Sequence, residues 1–181
     1  WPISVLLYVF AQRLSYAMDL EWCEGGTLYQ AYRLLHGLPV YVRDDPVWAP
    51  WSYPPLHTAV LALVGVIDLD FWSGRLVSIA FFCLLCAVLV HQVYTHAGRS
   101  SYGIATSALL LAFVACAFPL VGQWYDLVRV DTMMVALSVL GVALAARTEA
   151  GLKHAAATAA VLTAAVYTKQ TAAFFAAWAC L

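Results

Sequence analysis

Between Arg75 and Arg99, and again between Arg99 and Asp126, the chain carries no Asp, Glu, Lys or Arg. About 20 consecutive apolar residues are enough to cross a hydrocarbon core of about 30 Å. These two runs therefore constrain the fold more than any other feature. A soluble domain of 181 residues could not bury so apolar a chain, because 64% of it is hydrophobic and only 10% charged, against roughly half and a quarter in ordinary globular proteins. The mean hydropathy of +0.82 points the same way, to an integral membrane protein. A net charge of −1 also removes the electrostatic footing that a nucleic-acid binder needs.

The pattern predicts an all-α fold, a polytopic transmembrane helical bundle, with residues 1–181 forming the N-terminal part of one transmembrane domain. Its spans are expected near 2–18, 72–94, 102–124, 128–147, 152–168 and 171–181, the last cut short. The first residue is Trp1 and the last run, TAAFFAAWACL, has no polar flank, which suggests a piece of a longer polypeptide. Residues 56–67 follow Pro46, Pro50, Pro54 and Pro55 and are too short to span, so a helix near 55–67 is expected at the interface. With that choice, the loop 19–71, residues 124–131 and Lys169 share one face, and the short basic loops 95–101 and 147–153 share the other. Short loops rich in Lys and Arg belong in the cytoplasm. The acidic face is then extracytoplasmic. Four of the five cysteines lie in apolar runs, and Cys83 and Cys86 read as small hydrophobes on one helix face instead of a redox or zinc pair.

The external loop begins DLEWCEGGTLYQAYRLLHGLPVY, and Leu28, Ala31, Tyr32 and Leu35 recur at helical spacing until Gly37 and Pro39 stop the run. An amphipathic interfacial helix is expected near 24–36. Asp19, Glu21 and Glu24 make an acidic N-terminal end that its dipole favours. They read either as a solvated cap or as a source of a catalytic carboxylate. Trp22, Tyr29, Tyr32, Tyr41, Trp48, Trp51 and Tyr53 could form an interfacial aromatic belt or stack on sugar rings, and composition does not separate the two. His57 reads as an interfacial histidine.

The ordered set DLEWCEGG, AYRLLHGLPVY, YPPL, WYDLVRVD and YTKQT resembles membrane glycosyltransferases of the GT-C fold, in the bacterial branch akin to protein mannosyltransferases and lipid A aminoarabinose transferases. The resemblance implies transfer of a sugar from a polyprenyl-phosphate donor to a glycan, lipid or protein acceptor at the extracytoplasmic face, with inversion. It also implies a helical hairpin at TKQT. Glu24, followed by Gly25, matches the catalytic acid of the first external loop, with Asp19 and Glu21 as alternatives. Asp131 matches a second active-site acid, and Lys169, with Gln170 beside it, matches the lipid-phosphate site together with Arg129.

The chemistry asks for those residue types on its own terms. An acceptor hydroxyl needs a carboxylate to take its proton, and a departing phosphate needs cations to offset its charge. Arg129 and Asp131, two apart, would lie about 200° apart on a regular helix, so they can converge only if the helix has not yet begun. Each also has a plainer role, as an interfacial charge pair, and Lys169 as a snorkelling anchor. No cofactor is required, and no ligand spacing demands a metal, although a divalent ion could be held by the acids. No nucleic acid is expected as partner; membrane lipids are. A transporter or channel, or a noncatalytic membrane component, is the rival reading. No helix-pairing repeat supports the transporter, and spans alone leave the ordered motifs unexplained.

Overall fold

The computed structural model describes residues 1–42, 52–147 and 151–179, and among them only helices and turns occur. Trp48, Trp51, Glu149 and Cys180, the middle of the 19–71 loop and the end of the 171–181 segment lie outside the described residues. The helices are α1 (Pro2–Leu14), α2 (Cys23–Leu35), α3 (Leu56–Val64), α4 (Phe71–His96), α5 (Ser101–Ala117), α6 (Val130–Ala145) and α7 (Leu152–Thr168). A 3₁₀ turn, Gln170–Ala172, then leads into α8 (Ala173–Ala179).

Local chemistry sets these boundaries. Pro2 opens α1, where a missing N–H costs nothing. Asp70 and Ser73 close a reciprocal capping box on α4, and Ser100 accepts the Gly103 N–H to start α5. Helix α2 stops at Gly37, whose φ of +67° lets the Leu38 N–H return to the Arg33 carbonyl.

The expected polytopic bundle is overturned. Among the described residues one helix, α4, is long and apolar enough to cross a membrane; α1, α5 and α6 are shorter apolar helices. The charge-free run after Arg99 does not continue as helix, because α5 ends at Ala117 and Pro119 follows. Gly122 and Gln123 then take positive φ values. The 17 residues of α5 cover about 26 Å and the 13 of α1 about 20 Å, short of the hydrocarbon core. Helix α6 has 16 residues, and the segment after Lys169 is divided between the 3₁₀ turn and the seven residues of α8. Absence of charge was therefore a poor guide to helix length; backbone breakers decide it. Of the most apolar 18-residue window of α4 only 22% is buried, so this helix turns most of its apolar surface outward. That outward face is the support the structure gives to membrane association.

Helix α4 is also the post around which the rest packs. On one flank Leu28 and Ala31 of α2, Leu61 and Ala62 of α3, and Val77 of α4 close around Val128. On another, Leu6 and Phe10 of α1 meet Phe82 and Phe118, with Phe10–Phe82 and Phe10–Phe118 edge-to-face at 5.5 and 5.9 Å. Met134 of α6, Ala165 of α7 and Ala172 form a third cluster. Gly74 admits the α4 backbone against Val128, where an added Cβ would lie 2.8 Å from a valine methyl. That contact seats the 124–129 turn on the first turn of α4.

Candidate functional site

Arg75 lies one turn inside α4 and is wholly buried. Its five N–H groups are all used: Nε and Nη2 grip Glu24 at 3.0 and 2.8 Å, while Nη1 and Nη2 donate to the carbonyls of Arg13, Tyr16 and Met18. Glu24, also wholly buried, accepts in addition from the Leu20 N–H at 2.8 Å and the Val128 N–H at 3.0 Å. Burial pushes the Glu24 carboxyl up, but Arg75 and the two backbone donors hold it below the usual carboxylate range. Both of its oxygens are filled twice over. The first-choice base of the sequence reading thus ties the end of α1, the start of α2 and the 124–129 turn to α4, and we assign it that structural part.

A second set of charges converges beside this node. Arg129 Nη1 meets Glu21 at 2.9 Å, Arg129 Nε meets Asp131 at 3.1 Å, and Lys169 Nζ meets Asp131 at 2.6 Å. Arg129 precedes α6 in an extended conformation, φ −136° and ψ 151°, which removes the 200° separation that a regular helix would impose. Asp131 sits in the first turn of α6 and Lys169 caps the C-terminus of α7, each at the helix end whose dipole suits its charge. Burial raises Asp131, and Lys169 and Arg129 more than offset it, so its pKa lies below the usual range. Burial likewise works against the Arg129 charge, and Asp131 and Glu21 overcome it. These four side chains retain between 9 and 20% exposure.

The Arg129 guanidinium lies 4.1 Å over the Trp124 ring, and Lys169 Nζ faces the Tyr53 ring at 5.4 Å. The left-handed turn at Gly122 delivers Trp124 to this place, where any Cβ on residue 122 would meet the indole at 2.6 Å. Trp124, Tyr125, Asp131 and Thr132 then line a half-enclosed cavity of about 340 Å³ whose other walls are Leu85, Val114, Val121 and Val135. Of the four charged side chains, Asp131 lines this apolar chamber, next to Trp124, whose ring carries Arg129.

Glu21 uses Oε2 for the Cys23 N–H and for Arg129 and keeps Oε1 without a partner among the described residues. Asp19 is exposed and accepts the Gly25 N–H at 2.6 Å through Oδ1. Gln170 turns away from the cluster and donates to the Ser52 carbonyl at 2.8 Å, tying the α7 turn to the chain before α3. Cys23 is a buried free thiol whose pKa burial raises, an unreactive setting. Among the described residues no group of three or more His, Cys, Asp or Glu side chains could hold a metal ion.

Three buried groups carry more than the sequence reading gave them. Arg75 served only to bound an apolar run, yet a cation one turn inside such a helix must find a carboxylate, and that was its signal. Asp126, 1% exposed, lies 3.3 Å from Arg13 but accepts no hydrogen bond from another of the described residues, and burial pushes its pKa up to about 6. His57 is wholly buried, and burial pushes its pKa down to about 4 against the pull of Asp131. On α2, Leu28 and Ala31 are buried as expected, but Tyr32 and Leu35 are exposed, while Glu24, Thr27 and Gln30 are inside. The chain matches no family model, no curated protein and no solved structure.

Proposed function

We propose that the chain carries the active site of a glycosyltransferase that moves a sugar from a polyprenyl-phosphate carrier to an acceptor hydroxyl, at the extracytoplasmic face of a bacterial plasma membrane. The observation that carries this reading is the Glu21–Arg129–Asp131–Lys169 array, which meets an apolar cavity through Asp131 and through Trp124, the ring under Arg129. An amphipathic ligand with an anionic head and a hydrocarbon tail is complementary to that pairing. The outward apolar face of α4 and the resemblance to GT-C enzymes add support.

In this reading Glu21 Oε1, the unpartnered oxygen in the array, takes the proton of the acceptor hydroxyl as its oxygen attacks the anomeric carbon. The bond from that carbon to the phosphate oxygen breaks and its electron pair stays on the phosphate. Lys169, which spends one of its three N–H groups on Asp131, and Arg129 offset the charge that develops there. Asp131 holds both cations in place, and single displacement gives inversion.

The test is transfer of labelled sugar from polyprenyl-phosphate-hexose and polyprenyl-phosphate-pentose donors by the full chain in nanodiscs. Glu21→Gln is expected to lower kcat by about 10²–10⁴, the usual contribution of a general base, with folded yield retained. A folded wild-type protein that transfers from neither donor, or a Glu21→Gln variant with full turnover, would overturn the reading.

A further inference from the structure

Residues 15–22 join α1 to α2 without helix, and they turn large apolar side chains outward. Tyr16 and Leu20 are exposed, Met18 is 65% and Trp22 84% exposed. The backbone of this stretch is nonetheless held from within. Arg75 donates to the Tyr16 and Met18 carbonyls, and Glu24 accepts the Leu20 N–H, so the buried ion pair spends three hydrogen bonds on it. In water, exposed backbone is hydrated and needs no such support. At the edge of hydrocarbon, each backbone polar group outside a helix must find its partner in the protein.

The position of Arg75 in α4, the described helix long and apolar enough to cross a membrane, sets the depth. The 26 residues of α4 rise about 39 Å, about 9 Å more than a hydrocarbon core. Centred in a bilayer, the helix therefore leaves about three residues beyond the core at each end. Trp72 is exposed and Tyr94 partly so, and they stand about 33 Å apart along the helix, as the two aromatic belts of a spanning helix do. Arg75, one turn in from the start of α4, then lies within about 2 Å of the core boundary. The backbone that it grips lies near the same level.

The side chains suit that level. Trp22 and Tyr16 each join an apolar body to one polar group, and Met18 and Leu20 are wholly apolar. The acids between them are taken up by the protein, Asp19 by the Gly25 N–H and Glu21 by Arg129.

We propose that residues 16–22 anchor the protein in the bilayer, with Tyr16, Met18, Leu20 and Trp22 set among the glycerol groups and upper acyl chains of the lipids around α4. Glu21 belongs to the anchor and pairs with Arg129, so the charge array is held at the level of the lipid phosphates. The anchor goes beyond sugar transfer and needs no donor for its test.

The experiment is NMR of the full chain in nanodiscs with methyl-labelled methionine. The buried Met133 and Met134 serve as enclosed controls, and Met18→Leu assigns the Met18 signal. Signal loss is compared for a lipid with a nitroxide at the top of its acyl chain, a lipid with the nitroxide at the chain end, and a water-soluble gadolinium chelate. The Met18 methyl should lose most of its intensity to the first and less to the other two. A fluorotryptophan signal that disappears in Trp22→Phe should behave likewise. The anchor is overturned if Met18 responds most to the chelate, which places the segment in water, or most to the chain-end nitroxide, which places it at the bilayer centre. It is also overturned if Met18 responds to none of the three, the sign of a protein surface covering it. Should Met18→Leu fail to fold, Met133→Leu and Met134→Leu assign the signal by elimination. Failure of the anchor would leave the transfer reading to its own test, and a protein that transfers nothing would leave the anchor standing.

Discussion

Substituting Glu24 by Gln exchanges one buried oxygen for an NH₂ group and leaves the Arg75 charge without its counterion. Both side chains are wholly buried, and breaking one partner of such a pair costs about 3–5 kcal/mol. Glu24→Gln should therefore lower stability by that order in denaturant unfolding, whereas Glu21→Gln, on a partly exposed side chain, should change it little. Equal stability of the two variants would contradict the division between a structural and a chemical carboxylate. A pH experiment separates the two unusual buried groups. Unfolded Asp126 ionises near 3.8 and the folded group near 6, so its contribution is full below 3.8 and is lost as pH rises toward 6, roughly 3 kcal/mol in all. His57 runs the other way: the unfolded imidazole protonates below 6.5 and the folded one near 4, so its contribution is full above 6.5 and is lost as pH falls. Between pH 4 and 6 the slopes oppose each other and wild-type stability should be nearly flat. Asp126→Asn should expose the His57 slope, losing stability on acidification, and His57→Phe the Asp126 slope, losing it as pH rises. Thermal midpoints across that range check both signs; an Asp126→Asn curve parallel to wild type would contradict the assignment of Asp126.

At the scale of elements, the 118–129 segment does most to build the site. It ends the α5 run, brings Trp124 under Arg129, and offers the Leu127 carbonyl to Ser78 at 2.5 Å and the Val128 N–H to Glu24. Its seat on α4 depends on Gly74, so Gly74→Ala should press on Val128 and shift the turn that ends in Arg129. We expect a loss of about 1–3 kcal/mol, as for other overpacked sites, and weaker donor binding; wild-type values of both would show that this contact does not set the turn. Part of the architecture was legible in local signals, the prolines before α3 and Gly37 after α2; the break at Lys169 was implied by the resemblance, since the residues alone allow one continuous helix there. Helix length was not, because Pro119 and the left-handed Gly122–Gln123 turn sit inside a charge-free run. Nor was the inward face of α2 legible, since Glu24 is drawn inside by Arg75 and Val128, both more than 50 residues away, and Thr27, buried beside it, bonds back to the Cys23 carbonyl. The expected topology set Arg129, Asp131 and Lys169 on one face, and the resemblance grouped Arg129 with Lys169; the contact of Glu21 with Arg129 required the fold.

Over the whole molecule, three features lie together: a long outward-facing apolar helix, a cavity lined by apolar and aromatic side chains, and an alternating charge array that meets the cavity through Asp131. Membrane lipid is the medium that suits the first, and an amphipathic anion is the ligand that suits the other two. Charge-assisted hydrogen bonds to an ionised oxygen are roughly twice as strong as neutral ones, so the array should tell a polyprenyl phosphate from the uncharged polyprenol of the same chain length. The most direct measurement is equilibrium binding of these two lipids to the full chain in nanodiscs, for wild type, Lys169→Arg and Lys169→Gln at equal folded yield. The account predicts that wild type binds the phosphate about tenfold or more tightly than the alcohol, that Lys169→Arg keeps part of the preference, and that Lys169→Gln loses most of it. Equal affinity of wild type for phosphate and alcohol, or an undiminished preference in Lys169→Gln, would contradict it.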